Sequence, residues 1–123
     1  GRPLQSFIDT PESDRVVLSE YHDGGSPCGC YMLRKGPLKL VYFADGHPPL
    51  LFDLNRDPQE VSNLGDDPAH AQSVQQMTQE LYRILDPQAV SDQAFADQAD
   101  MIESLGGMES IMAMPSFNHT PLD

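Results

Sequence analysis

Tryptophan is absent from this 123-residue chain, cysteine occurs only twice, and cations are scarce, with 7 Lys and Arg against 19 Asp and Glu for a formal net charge of −12. So few cations exclude the electrostatic grip on phosphates that nucleic-acid binding requires. Two cysteines cannot build a disulfide scaffold, and Cys28 and Cys30, separated by Gly29, would close a small, strained ring. Such usage favours a reducing, cytoplasmic compartment, a preference that an upstream targeting segment would override. No apolar run exceeds Leu40 to Ala44, so neither a membrane span nor a signal-peptide core can be drawn, and the sequence reads as soluble. The start at Gly1-Arg2-Pro3 and the lack of apolar periodicity at both termini read as a fragment of a longer polypeptide. Leu, Ile, Val and Phe make up about 23% of the chain, enough for a modest core.

Charge and pattern divide the chain in two. Residues 1–61 hold six of the seven basic groups, whereas residues 62–123 hold only Arg83 against ten acids. Four short β-branched or aromatic runs lie in the first half: Val16 to Tyr21, Cys30 to Arg34, Leu38 to Phe43 and Leu50 to Leu54. Leu38, Leu40 and Tyr42 share one face of the third run, and Lys39, Val41 and Phe43 share the other. Breaks at Arg34-Lys35-Gly36-Pro37 and from Asp45-Gly46 to Pro48-Pro49 predict consecutive hairpins, with the prolines limiting each ladder.

Two helices should follow. Asp67-Pro68 offers an N-cap acceptor and a pre-set φ, and Val74, Met77, Leu81 and Leu85 make one apolar stripe over about 68–85. Asp86-Pro87 repeats the start signal. Phe95, Ala99 and Ile102 form a thinner stripe that ends before Gly106-Gly107, and Met108 to Met114 offers apolar groups with no obvious place in so small a core.

Familiar site chemistry is mostly missing. Asp53-Leu54-Asn55-Arg56-Asp57 begins like a calcium loop but has Pro58 and Leu64 where the glycine and the bidentate glutamate belong, so a strand end held by Asp caps is the better reading. Cys28 and Cys30 lack a second ligand pair for zinc. His22, His47, His70 and His119 are isolated. Of these His22 stands out, because it ends the first strand beside Glu20 and leads into Asp23-Gly24-Gly25-Ser26, where functional groups tend to be displayed. No nucleophile elbow, phosphate loop or dinucleotide fingerprint occurs.

The segment Leu51-Phe52-Asp53-Leu54-Asn55-Arg56-Asp57-Pro58-Gln59-Glu60-Val61-Ser62-Asn63-Leu64 closely resembles the signature near the C-terminus of sulfatases. That signature runs Leu-Phe/Tyr-Asp-Leu, two residues, Asp-Pro-x-Glu, two residues, Asn-Leu, and every fixed position matches. The strand through Val17 to His22, the hairpin from Met32 to Tyr42 and the helix after Pro68 also fall in that family's order, so the resemblance covers roughly Arg15 to Pro87. Ala94-Phe95-Ala96-Asp97-Gln98 and the ending Phe117-Asn118-His119-Thr120-Pro121 most resemble the choline-sulfatase branch.

The resemblance implies a parent enzyme of the alkaline-phosphatase-like superfamily that hydrolyses sulfate esters, with a formylglycine hydrate attacking sulfur and a calcium ion and basic residues stabilising the sulfuryl oxygens. The formylglycine motif is absent. Cys30 has Arg34 four residues on, but Met32 stands where Pro or Ala is required, and Cys28 has neither partner. No catalytic residue or metal ligand is therefore assigned here; calcium and the formylglycine are expected in an N-terminal catalytic portion, which is the implied partner. Glu20 and His22 are expected to rim the substrate pocket, with interface hydrogen bonds to the catalytic portion as the alternative role. Met112, Met114, Phe117, Asn118 and His119 are expected to contact a neighbour in a homo-oligomer, with Met108 and Ile111 as further anchors.

The expected fold is α+β: a four-stranded antiparallel sheet packed by a C-terminal helix, with a second helix and an extended tail. Residues 1–14 form an irregular lead-in, 15–87 the subdomain, and 88–123 the helix and tail. An excised subdomain should expose the sheet face that its parent covers. The competing expectation is a free-standing acidic protein-interaction module.

Overall fold

A computed structural model describes residues 15–22 and 26–114. Four strands, β1 (Val16–Tyr21), β2 (Cys30–Lys35), β3 (Leu38–Phe43) and β4 (Leu50–Asp53), pair antiparallel in the order β1-β2-β3-β4. This is the expected sheet, within one residue at each strand end. Register then sorts the side chains, because opposite partners share a face: Leu18 lies across from Leu33, Leu33 from Leu40 and Leu40 from Leu51.

Onto that face packs α1 (Ala71–Ile84), entered through a single 3-10 turn at Pro68–His70 whose first amide is capped by Asp67. Met77 and Leu81 close against Tyr31, Leu33, Leu40, Ala44 and Leu51, with Val74 and Leu85 at the margins. Each fully buried aliphatic side chain contributes about 1.5–3 kcal/mol, so this small cluster is the main source of stability. Tyr42 of β3 reaches the same helix, its hydroxyl 2.9 Å from that of Tyr82.

The segment from Asp53 to Gly65 is a loop that satisfies its own backbone. Asp53 accepts from the amide of Asn55, and Asp57 accepts from those of Val61 (3.2 Å) and Ser62 (2.9 Å). Glu60, at φ 55°, occupies the left-handed region and is held there by a 2.6 Å ion pair with Lys39. Asn63 accepts from the amides of Leu51 (3.0 Å) and Gly65 (2.8 Å), while the Leu64 amide donates to the Leu51 carbonyl (2.8 Å). Asn63 and Leu64 thereby cap the open edge of β4, which would otherwise present unpaired backbone groups.

After Asp86, whose carboxylate caps two amides, α2 (Pro87–Ser104) runs to Gly106 and Gly107, at φ 89° and 87°, and a short α3 (Gly107–Met112) follows. Two expectations need correcting. Phe95 and Ala99 do not form the docking stripe of α2: both are exposed, and the helix instead buries Pro87 and Ser91, with Ala94 and Gln98 half-buried. The Met108 to Met114 stretch, expected to be extended, is helical as far as Met112.

Asn63→Ala removes an acceptor shared by two amides and should cost about 1–3 kcal/mol in urea unfolding. Gly65→Ala should cost at least as much, because a Cβ there would overlap the Pro49 carbonyl; unchanged midpoints in both variants would contradict the role given to this loop.

Candidate functional site

The β1–β2 end of the sheet meets α2 through polar contacts beside the buried Pro87 and half-buried Val90. The Tyr31 hydroxyl donates to the Pro87 carbonyl (2.7 Å), the Gly29 amide to the Ser91 hydroxyl oxygen (3.0 Å), and the Gln98 amide to the His22 carbonyl (2.7 Å). Gly29 sits at the centre. A Cβ there would lie 2.9 Å from the His22 ring and 3.0 Å from both the Ser91 Cβ and the Tyr31 hydroxyl, so only glycine lets the three groups converge.

Both expected rim residues are found here. His22 packs edge-on to Tyr31, ring centroids 5.4 Å apart, with Nε2 3.4 Å from a Glu20 carboxylate oxygen and Nδ1 buried without a hydrogen-bond partner among the described residues. An imidazole beside a carboxylate can hold or pass a proton. Among the neighbouring hydroxyls, Tyr31 commits its proton to Pro87, and the Ser91 oxygen accepts from Gly29. Burial pushes the Tyr31 phenol up to about 12, with the Glu20 charge adding to the shift.

Beside this end of the sheet lies an open cavity of about 380 Å³ lined by Pro27, Cys28, Phe43, Asp45, His47 and Leu50. Asp45 accepts from the His47 ring (2.7 Å) and backbone (3.1 Å), and the ring hydrogen bond holds its carboxyl below its ordinary value. Cys28 and Cys30 are free thiols, and burial pushes the Cys30 thiol up, which disfavours a thiolate. Among the described residues no three His, Cys, Asp or Glu side chains converge on a point that could hold a metal ion.

Of the expected tail contacts, Met112 ends α3 and Met114 follows it, both exposed and on a different element from Glu20 and His22; Phe117, Asn118 and His119 lie outside the described residues. Tyr31, Gly29, Ser91 and Gln98 were not singled out by the sequence. The usable signal for two of them was spacing, since Ser91 and Gln98 fall four and eleven residues after Pro87, on one side of a helix.

No family model matches the chain. Arylsulfatase K of Mus musculus is 44% identical over 50 residues, which is 39% of this chain and 9% of that protein. Arylsulfatase K of Xenopus laevis is 39% identical over 78 residues, 61% of this chain and 14% of that protein. The multifunctional alkaline phosphatase superfamily protein PehA of Trinickia caryophylli is 40% identical over 73 residues, 59% of this chain and 13% of its own length. A solved 2-O GAG sulfatase superposes with a TM-score of 0.53 at 25% identity, covering 60% of this chain and 16% of that one. The chain is thus similar, over part of its length, to arylsulfatases and to a protein of the alkaline phosphatase superfamily, and it spans only 9% to 14% of these curated relatives.

The Tyr31 phenol is kept neutral by the fold, so its contribution is complete below the ordinary tyrosine value of 10.0 and is lost as pH rises through about 12. Tyr42, raised to about 12 chiefly by its hydrogen bond with Tyr82, acts in the same window. Urea midpoints should fall between these two pH values, less steeply in Tyr31→Phe; an identical slope would show that Tyr31 is not the titrating contact.

Proposed function

We propose that this chain is the C-terminal subdomain of a sulfuric ester hydrolase, a non-catalytic flank that completes the fold of a larger body carrying the reactive groups. The observation that supports this most is the second face of the sheet. Tyr21, Cys30 and Phe43 lie in one cross-strand row and Met32, Val41 and Leu50 in the next, on the side away from α1, with Tyr21 55% exposed and Met32, Val41, Phe43 and Leu50 only half-buried. Contiguous apolar surface of this kind marks an interaction site. Relatives in which the matched region is a small fraction of the length offer the natural cover: the remainder of the same polypeptide.

In this reading the catalytic portion supplies the formylglycine nucleophile and the calcium ion, and this chain supplies shape. Glu20 and His22, at the end of β1, rim the substrate pocket, where a carboxylate and an imidazole orient a substrate without touching the reacting sulfur. The resemblance of Ala94 to Gln98 and of the Phe117-Asn118-His119 ending to the choline-sulfatase branch makes that branch the preferred one. Met112 and Met114, with Phe117, Asn118 and His119, contact a neighbouring subunit.

The test uses the full-length enzyme. Val41→Asp with Phe43→Asp places two carboxylates in the covered face, where an unpaired buried charge costs several kcal/mol, so aryl-sulfate turnover by soluble enzyme should fall at least about tenfold. Wild-type yield and turnover from that variant would refute the reading. The isolated 123-residue chain should show no aryl-sulfate hydrolysis.

Glu20→Gln and His22→Gln test the rim. Each should raise KM with kcat within about twofold of wild type, as loss of uniform binding does. A collapse of kcat at constant KM would instead place the residue at the reacting centre.

A further inference from the structure

On the α1 side of the sheet, the turn of the β2–β3 hairpin and the helix border an open cavity of about 650 Å³. Its size falls within the range of small-molecule sites, about 300–1,000 Å³. Lys35 and Leu38, on either side of the Gly36-Pro37 turn, line one wall. Along α1 the lining residues Ser73, Gln76, Glu80 and Arg83 recur at steps of three and four, so they form a polar stripe beside the apolar one of Met77 and Leu81.

Two cations meet here in a chain whose net charge is −12. The Lys35 ammonium donates to Glu80 Oε1 at 3.1 Å, and the Arg83 guanidinium donates to the same oxygen at 2.9 Å. A shared acceptor keeps the two cationic groups near enough for one further anion to bridge them. Each has N–H groups to spare, since an ammonium carries three and a guanidinium five. One carboxylate against two cations also leaves one positive charge unmatched within the trio. The Lys35 hydrogen bond holds the Glu80 carboxyl below its ordinary value, which keeps this anchor ionised.

The rest of the lining selects what carries the anion. Ser73, Gln76 and Gln79 present a hydroxyl and two carboxamides, which both donate and accept as sugar hydroxyls do. Leu38 and Met77 add apolar surface for the C–H face of a sugar ring. We propose that this cavity binds a carboxylated sugar, with its carboxylate between Lys35 and Arg83 and its hydroxyls on Ser73, Gln76 and Gln79. A planar carboxylate matches the guanidinium fork. The proposal does not rest on the sulfatase reading, and the cavity is separate from Glu20, His22 and the open sheet face.

The probes are glucuronate, glucose and inorganic sulfate, each titrated into the 123-residue chain and followed by NMR chemical shifts. Glucuronate should bind saturably, shift resonances of residues 35–38 and 73–83, and bind at least about tenfold more tightly than glucose, the worth of one charge-assisted hydrogen bond. Arg83→Gln should weaken it at least about tenfold and Gln76→Leu severalfold. Arg34→Gln removes the same charge from the opposite face of the sheet and should leave affinity unchanged. Because Arg83 and Gln76 are exposed, both variants should keep their wild-type circular dichroism. No saturable binding, equal affinity for glucose or for sulfate, full affinity in Arg83→Gln, an equal loss in Arg34→Gln, or shifts confined to other residues would each overturn the proposal.

Discussion

A four-stranded sheet has two faces, and among the described residues a helix covers only one. The strand register puts Leu18, Leu33, Leu40 and Leu51 on the same side, and α1 closes over them with Met77 and Leu81. Because side chains alternate along a strand, the β-branched and aromatic residues that make these segments good strands also load the opposite side with Met32, Val41, Phe43 and Leu50. No second helical layer reaches that side among the described residues. The asymmetry leaves the internal core small and directs part of the hydrophobic surface outward.

The two helices are held to the sheet by different physics. Helix α1 docks through aliphatic burial, which tolerates small shifts in position. Helix α2 adds to the burial of Pro87 and Val90 three hydrogen bonds that each demand a particular geometry, made to Pro87, Ser91 and Gln98 around a glycine that leaves no room for a side chain. Such a seam orients more than it stabilises, since a hydrogen bond exchanged with water contributes only about 1 kcal/mol while a broken buried one costs more. It also fixes His22 against Tyr31 and thereby sets the direction of the β1 end.

The signature segment gains a physical meaning residue by residue. Asp53, Asp57 and Asn63 are each spent on backbone amides, Glu60 on Lys39, Leu51 on the core, and the Leu64 amide on the edge of β4. The fixed polar members of the motif thus shape this loop and tie it to β3.

Local chemistry was legible in the sequence alone. Strand limits, the hairpins, the Asp67 and Asp86 caps and the α1 stripe all depend on neighbours within a few residues, and each was readable for that reason. Glu20 and His22 were legible as a displayed strand end. The contacts that seat α2 were not, because they join residues 56 to 76 positions apart and use Ser91 and Gln98, which a search for apolar periodicity passes over in favour of Phe95 and Ala99. Only the tertiary structure decided which sheet face α1 covers, which face stays open, and which side of α2 meets the sheet, since each is a matter of packing between distant segments rather than of any segment's own preference.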